Sequence, residues 1–129
     1  MKRRYVDTGP DFETRLKVYD RDAHCCVRCG RPARGELGVD YSLQHRAKRS
    51  GGVDNRPCNL ILLCGSGTTG CHGWVEDHPI LAADEGGWAV SRYADPAMKP
   101  VLIRTPYGEW WKYLTDDFGY ADAPPERAA

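Results

Sequence analysis

Cys26-Val27-Arg28-Cys29 and Cys64-Gly-Ser-Gly-Thr-Thr-Gly-Cys71 carry two pairs of thiols at spacings suited to a metal ion. Structural zinc sites take four ligands at tetrahedral corners, commonly as pairs of cysteines from two tight loops. Cys26 and Cys29 have the usual separation, and Gly30 lets the backbone turn beneath an ion. The Cys64–Cys71 loop is wider, but Gly65, Gly67 and Gly70 leave it free to fold back and present both sulfurs. Cys26, Cys29, Cys64 and Cys71 are therefore expected to form one structural Zn2+ site. Cys25 competes with Cys26 as the partner of Cys29, and Cys58 is expected to be a small core residue. Buried free cysteines are common in cores, but that reading explains neither the two pairs nor the glycines.

Between and beside these thiols stand His45, Asn59 and His72, with Gln44 before the first histidine and Glu76 one helical turn after the second. Phosphodiester hydrolysis needs an activated water and a cation to neutralise charge developing on phosphate. A neutral imidazole is a suitable general base near pH 7, and His45, at the end of a strand-like segment, is the candidate. Glu76 lies at i+4 from His72, so both can face one ion. An anionic oxygen there suits Mg2+ or Mn2+, although an i+4 charge is equally explained as a solvated side chain. Arg46, Lys48, Arg49 and Arg56 flank these residues and could hold DNA phosphates without reading bases; the plainer alternative is a solvated basic loop. Trp74 and the Trp110-Trp111 pair read as core or strand-face residues rather than stacking platforms for bases.

Ser42-Leu-Gln-His45-Arg-Ala-Lys-Arg-Ser-Gly-Gly52, Arg56-Pro-Cys-Asn59-Leu-Ile-Leu-Leu-Cys64 and Gly70-Cys71-His72-Gly-Trp-Val-Glu76 together resemble the HNH endonucleases. The likeness is greatest to the small enzymes of tailed phages that infect actinobacteria, and it spans roughly residues 12–92. It implies an α+β fold with a ββα-metal (His-Me finger) core: a hairpin carrying His45 and Asn59, then a helix carrying ligands. It also implies that Asn59 orients the catalytic histidine or helps hold the metal, and that His72 binds a catalytic divalent ion such as Mg2+, Mn2+ or Ni2+. In relatives the residue before the general base is usually Asp, Glu or His; Gln44 departs from that pattern, and a neutral amide oxygen is a weaker ligand for a hard cation. DNA is the implied partner, with phage terminase in genome packaging a further one, and a monomer or weak dimer would nick or cut both strands.

Several elements must position these residues. Residues 1–10 read as a flexible lead-in, and Asp11 as the N-cap of a helix over Phe12–Tyr19 whose Phe12, Leu16 and Tyr19 share a face. Gly38–His45 reads as a strand and Asn59–Leu63 as a short buried one. A helix begins near Cys71, and Pro79 starts a second segment that stops at Gly86-Gly87. Trp88–Arg92, Pro100–Arg104 and Glu109–Leu114 are β-like, separated by turn signals at Asp95-Pro96 and Pro106-Tyr107-Gly108. The expected organisation is a zinc-stapled domain over 11–92, a C-terminal β extension of it over 93–120, and a disordered tail over 121–129.

With 129 residues, one domain is expected. Net charge is zero, yet residues 1–60 hold 13 Lys/Arg against 8 Asp/Glu, and residues 61–129 hold 5 against 10. Such asymmetry can mark a nucleic-acid face, or simply a basic surface with an acidic tail. Neither a secretory h-region nor a membrane-length apolar run is present, so a cytoplasmic protein is expected, with thiols reduced or metal-bound rather than paired.

Overall fold

A computed structural model describes residues 9–48 and 53–126 of the chain. It is a mixed α+β arrangement whose first helix, α1 (Phe12–Arg21), starts where the Asp11 carboxylate accepts the Thr14 amide at 2.8 Å. That cap satisfies one of the amides left without a partner in a first turn. Only Val18 and Tyr19 of α1 are buried; Phe12 is 74 % and Leu16 45 % exposed. The expected apolar face thus meets the core through its last turn alone. Anchoring there is largely polar. Arg21 donates to Pro57 O (2.8 Å) and Leu60 O (2.5 Å), while Asp22 accepts from Arg21, from the Leu62 amide (3.0 Å) and from the Tyr120 hydroxyl (2.6 Å).

Strands β1 (Tyr41–His45) and β2 (Leu60–Cys64) pair antiparallel, with Tyr41 opposite Cys64 and His45 opposite Leu60. β1 is three residues shorter at its start than the sequence pattern suggests, because 38–40 turn: the Gly38 and Asp40 amides bond to Tyr41 O and Glu36 O. Alternation along β1 turns Gln44 inward, at 2 % exposure, and leaves its neighbour His45 half-buried. Leu60, Ile61, Leu62 and Leu63 of β2 are all fully buried. Their uninterrupted apolar run follows from their surroundings: α1 and the next helix both pack on β2, and the Val27 amide bonds to Leu62 O along its free edge.

Helix α2 (Gly70–Asp77) packs on both strands, so strand, strand and helix follow one another as a unit. α3 (Pro79–Gly86) begins at the proline and ends on Gly87, whose φ of 64° is the left-handed cap a glycine adopts without a Cβ penalty. Trp88–Arg92 is not a strand. It contributes one bridge, Val90 to Ala47, because Trp88 is fully buried and its indole N–H donates to Leu102 O at 3.0 Å. Strands β3 (Val101–Thr105), β4 (Gly108–Leu114) and β5 (Tyr120–Ala121) form an antiparallel sheet in that order. Ala121, expected to open the disordered tail, pairs with Tyr113. Val101, Leu102, Ile103 and Leu114 share one core with Val27, Ile61, Leu63 and Trp88, which makes the C-terminal sheet part of the same packed body. Among the described residues no helix is long and apolar enough to cross a membrane.

Candidate metal centre and the adjoining cavity

The Sγ atoms of Cys26, Cys29, Cys64 and Cys71 all lie within 4.8 Å of one another, and those of Cys29 and Cys64 are 3.8 Å apart. A tetrahedron with metal–sulfur bonds of about 2.3 Å has edges of about 3.8 Å, so this donor set can hold a metal ion and its size suits zinc. None of the six cysteines is in a disulfide. The two loops reach this geometry differently. In the first, the Cys26 amide donates to Arg31 O and the Gly30 amide to Cys26 O, each at 2.8 Å, which curls the knuckle. In the second, the chain doubles back so tightly that a Cβ on Gly65 would meet Thr69 O at 2.1 Å, with φ at +85°. Gly65 and Gly70, where a Cβ would meet Cys64 O at 2.7 Å, are therefore steric requirements for closure, whereas Gly67 has open space around it.

Arg28 lies beside the thiols. Its Nη1 is 3.3 Å from Cys71 Sγ, and its guanidinium stacks 3.8 Å over the Trp74 ring. Four thiolates around a divalent ion leave an excess of negative charge, and a fixed guanidinium offsets part of it. The Cys71 thiol is pulled down to about 5, chiefly by its hydrogen bond with Cys26 and further by Arg28. Cys26 moves the opposite way because the two share a proton. Cys25 is outside the cluster, bridged instead to Pro32, and Cys58 is a fully buried core residue.

A cavity of about 300 Å³ is lined by Gln44, His45, Lys48, Asp54, His72 and Glu76 together with apolar neighbours, His72 being the residue after Cys71 in α2. β1 supplies Gln44 and His45, and α2 supplies His72 and Glu76. His72 Nδ1 is 2.5 Å from Ser42 Oγ, which is itself 2.8 Å from Gly65 O. A carbonyl only accepts, so the serine proton goes to Gly65, and His72 Nδ1 must be the donor to Ser42. The remaining ring nitrogen, Nε2, then carries a lone pair and faces Glu76 Oε1 at 3.4 Å. Burial pushes the His72 pKa down, against the pull of Glu76, which favours this neutral form. Gln44 Oε1 is buried and has no hydrogen-bond partner among the described residues. An acceptor left so is costly, and the residue that carries it lines the same cavity. An imidazole nitrogen, a carboxylate and an amide oxygen, all on residues that line this cavity, are donor types that a divalent cation can take. Lys48 currently pairs with both oxygens of Glu76.

Some expected residues have other positions. Arg46, expected to touch DNA phosphate, is 1 % exposed. Its five N–H donors go to Gly87 O, Cys58 O, Pro96 O, Lys99 O and Pro100 O at 2.8–3.3 Å. Burial without a carboxylate partner lowers its pKa to about 10. It ties the β1–β2 connection to the end of α3 and the turn at Pro96, and cannot reach a phosphate. Arg56 is partly exposed but engaged by Asp54 and Asp95. Arg49 lies outside the described residues.

Among the described residues no hydrogen bond joins Asn59 to His45. Asn59 is fully buried, accepts the Ala47 amide (2.7 Å) and donates to Ala47 O (3.0 Å) and Asp54 O (2.9 Å), clamping both ends of the β1–β2 connection. The side chain that does meet His45 is Asn55, whose Oδ1 is 2.7 Å from Nε2. Neither Asn55 nor Ser42 is marked by any spacing in the sequence; their partners lie 10 and 30 residues away. Comparison of the chain with protein-family models, with curated proteins and with solved structures yields no match.

Proposed function

We propose that this protein is a metal-dependent DNA endonuclease of HNH type, in which β1, β2 and α2 form the ββα-metal core and a four-cysteine Zn2+ site staples it. The observation that carries this reading is that His45, His72, Glu76 and Gln44 line one cavity, and that His72 is the chain neighbour of Cys71 in the thiol cluster. A divalent ion bound by His72 Nε2, Glu76 and Gln44 would neutralise charge on the scissile phosphate. His45 takes the proton of the attacking water. His72 is held in its lone-pair form by Ser42, and the zinc loop fixes where it points, because Cys71 is its neighbour in the chain. Lys48, on the rim, exchanges Glu76 for a DNA phosphate when the cation arrives, and Arg56 offers a second, weaker contact. Phage DNA processing or packaging beside a terminase, in the host cytoplasm, is the setting that the resemblance implies.

One observation favours a second reading, a non-catalytic zinc-stapled DNA-binding or packaging adaptor: Lys48 already satisfies Glu76, and Gln44 offers no charge to a cation. A plasmid-relaxation assay of wild type and His45→Ala with EDTA, Mg2+, Mn2+ or Ni2+ separates the two. The nuclease reading expects nicking that needs a divalent ion and is lost in His45→Ala at unchanged zinc content. Nicking that persists in the variant removes His45 as the general base, and absence of cleavage with every ion removes the nuclease reading in favour of the adaptor.

A further inference from the structure

Resting on that reading, we infer that Asn55 is the positioning residue of His45: its amide oxygen holds the imidazole in the Nε2–H tautomer and leaves Nδ1 as the atom that takes the proton from water. An amide oxygen only accepts, so at 2.7 Å the ring nitrogen facing it must donate. The neutral ring then has its lone pair on Nδ1. Without a fixed acceptor the two tautomers of a half-buried imidazole interconvert, and the one with its proton on Nδ1 has no lone pair there for water.

The acceptor is rigidly placed. The residue before it, Asp54, receives the Asn59 amide N–H on its carbonyl at 2.9 Å and carries Arg56 on its carboxylate. The residue after it, Arg56, receives the Asn59 backbone N–H on its carbonyl at 2.9 Å. Asn59 also grips Ala47 from the other end of the connection, two residues past His45. Asn59 therefore reaches the general base indirectly: it locks the segment 54–56, and Asn55 at its centre touches the ring. Such partners of a reacting group set its orientation and tautomer, and their loss misplaces it with a large effect on rate.

The test pairs a measurement that needs no activity with one that does. In 15N-histidine-labelled wild-type protein, the neutral His45 ring should show its proton on Nε2. Asn55→Ala should give a mixture of tautomers at unchanged zinc content and melting cooperativity, and Asn55→Asp, which keeps an oxygen acceptor, should restore Nε2–H. On supercoiled plasmid with Mn2+, Asn55→Ala should lower kcat about 100-fold with little change in KM, and Asn55→Asp should recover most of it. A wild-type ring protonated on Nδ1, a tautomer unaltered in Asn55→Ala, or wild-type kcat in that variant each overturns the assignment. Should His45→Ala nick as well as wild type, His45 is not the base, and should wild type cleave with none of the ions, the nuclease reading fails; in both cases the tautomer spectra still decide whether Asn55 positions the ring. If Asn55→Ala does not fold, Asn55→Ser, with a shorter hydroxyl that loses the 2.7 Å contact, takes its place with the same expectations.

Discussion

Ser42 fixes which nitrogen of His72 carries the proton. Its hydroxyl sits between His72 Nδ1 at 2.5 Å and Gly65 O at 2.8 Å, so the serine accepts from the ring and donates to the carbonyl. The first residue of this pair is on β1 and the second lies in the first turn of α2, and Gly65 belongs to the loop that brings Cys64 and Cys71 together. One hydrogen-bond chain thus links the thiol cluster to the cavity.

Ser42→Ala should therefore weaken divalent-ion binding about 10-fold or more, in the range usual for removing a partner of a ligating histidine. The expected readout is a higher Mn2+ concentration for half-maximal nicking and a weaker Mn2+ titration by calorimetry, with zinc content unchanged. Equal Mn2+ affinity in wild type and variant would show that the serine does not orient the ligand.

Metal analysis should find one zinc per chain, and Co2+ substitution should give the absorption of a tetrahedral thiolate site. Cys29→Ser or Cys71→Ser should lose the metal and the cooperative thermal transition, because binding free energy is folding free energy at such sites. Cys25→Ser and Cys58→Ser should keep it. Metal lost from Cys25→Ser but retained by Cys26→Ser would reverse the assignment of the first ligand.

Arg46→Met should destabilise the protein by about 3–5 kcal/mol in denaturant melts, since it strands the five carbonyls that the guanidinium now satisfies. Arg46→Lys should not restore stability, because an ammonium lacks the planar fork that spans them. A variant of wild-type stability whose only defect is a shallower salt dependence of DNA binding would instead return Arg46 to the DNA-contacting role.

The Tyr19 hydroxyl is buried without a hydrogen-bond partner among the described residues, and burial raises its pKa to about 12. A phenol whose folded pKa exceeds its unfolded value of 10.0 contributes stability fully present below pH 10 and lost as pH rises through about 12. Cys58, pushed up from 9.0 to about 12 by burial and by Asp116, acts in the same direction from pH 9 upward. Tyr19→Phe should thus be neutral or stabilising by about 1 kcal/mol at pH 7. Its melting temperature should fall less than that of wild type between pH 9 and 11. A variant less stable than wild type at pH 7 would mean that the hydroxyl has found a partner, such as water.

Much of the local organisation was legible in the chain. The Asp11 cap, the proline start of α3, the glycine stop and the β3–β4 hairpin each follow from short-range rules of dihedral and capping chemistry. Trp88–Arg92 misleads because its alternation looks like a strand, whereas Trp88 is a core residue whose indole finds a carbonyl 14 residues on. α1 misleads in the opposite sense: its apolar spacing continues to Phe12, but the core ends at Val18.

Spacing and glycine placement were sufficient to select the four cysteines, since closure of a thiol cage by two short loops is a local problem. They also put His45 on a strand and His72 with Glu76 on one helical turn. Which side chains meet those residues is a different kind of fact. Arg46 and Asn55 are both polar residues of one connection, and nothing in their types tells that the arginine turns inward to five carbonyls while the asparagine meets the imidazole. That choice follows from where α3, the Pro96 turn and β2 bring their backbone carbonyls. These are contacts between segments distant in the chain, and a guanidinium buried away from those five carbonyls would be left unpaired at a high cost.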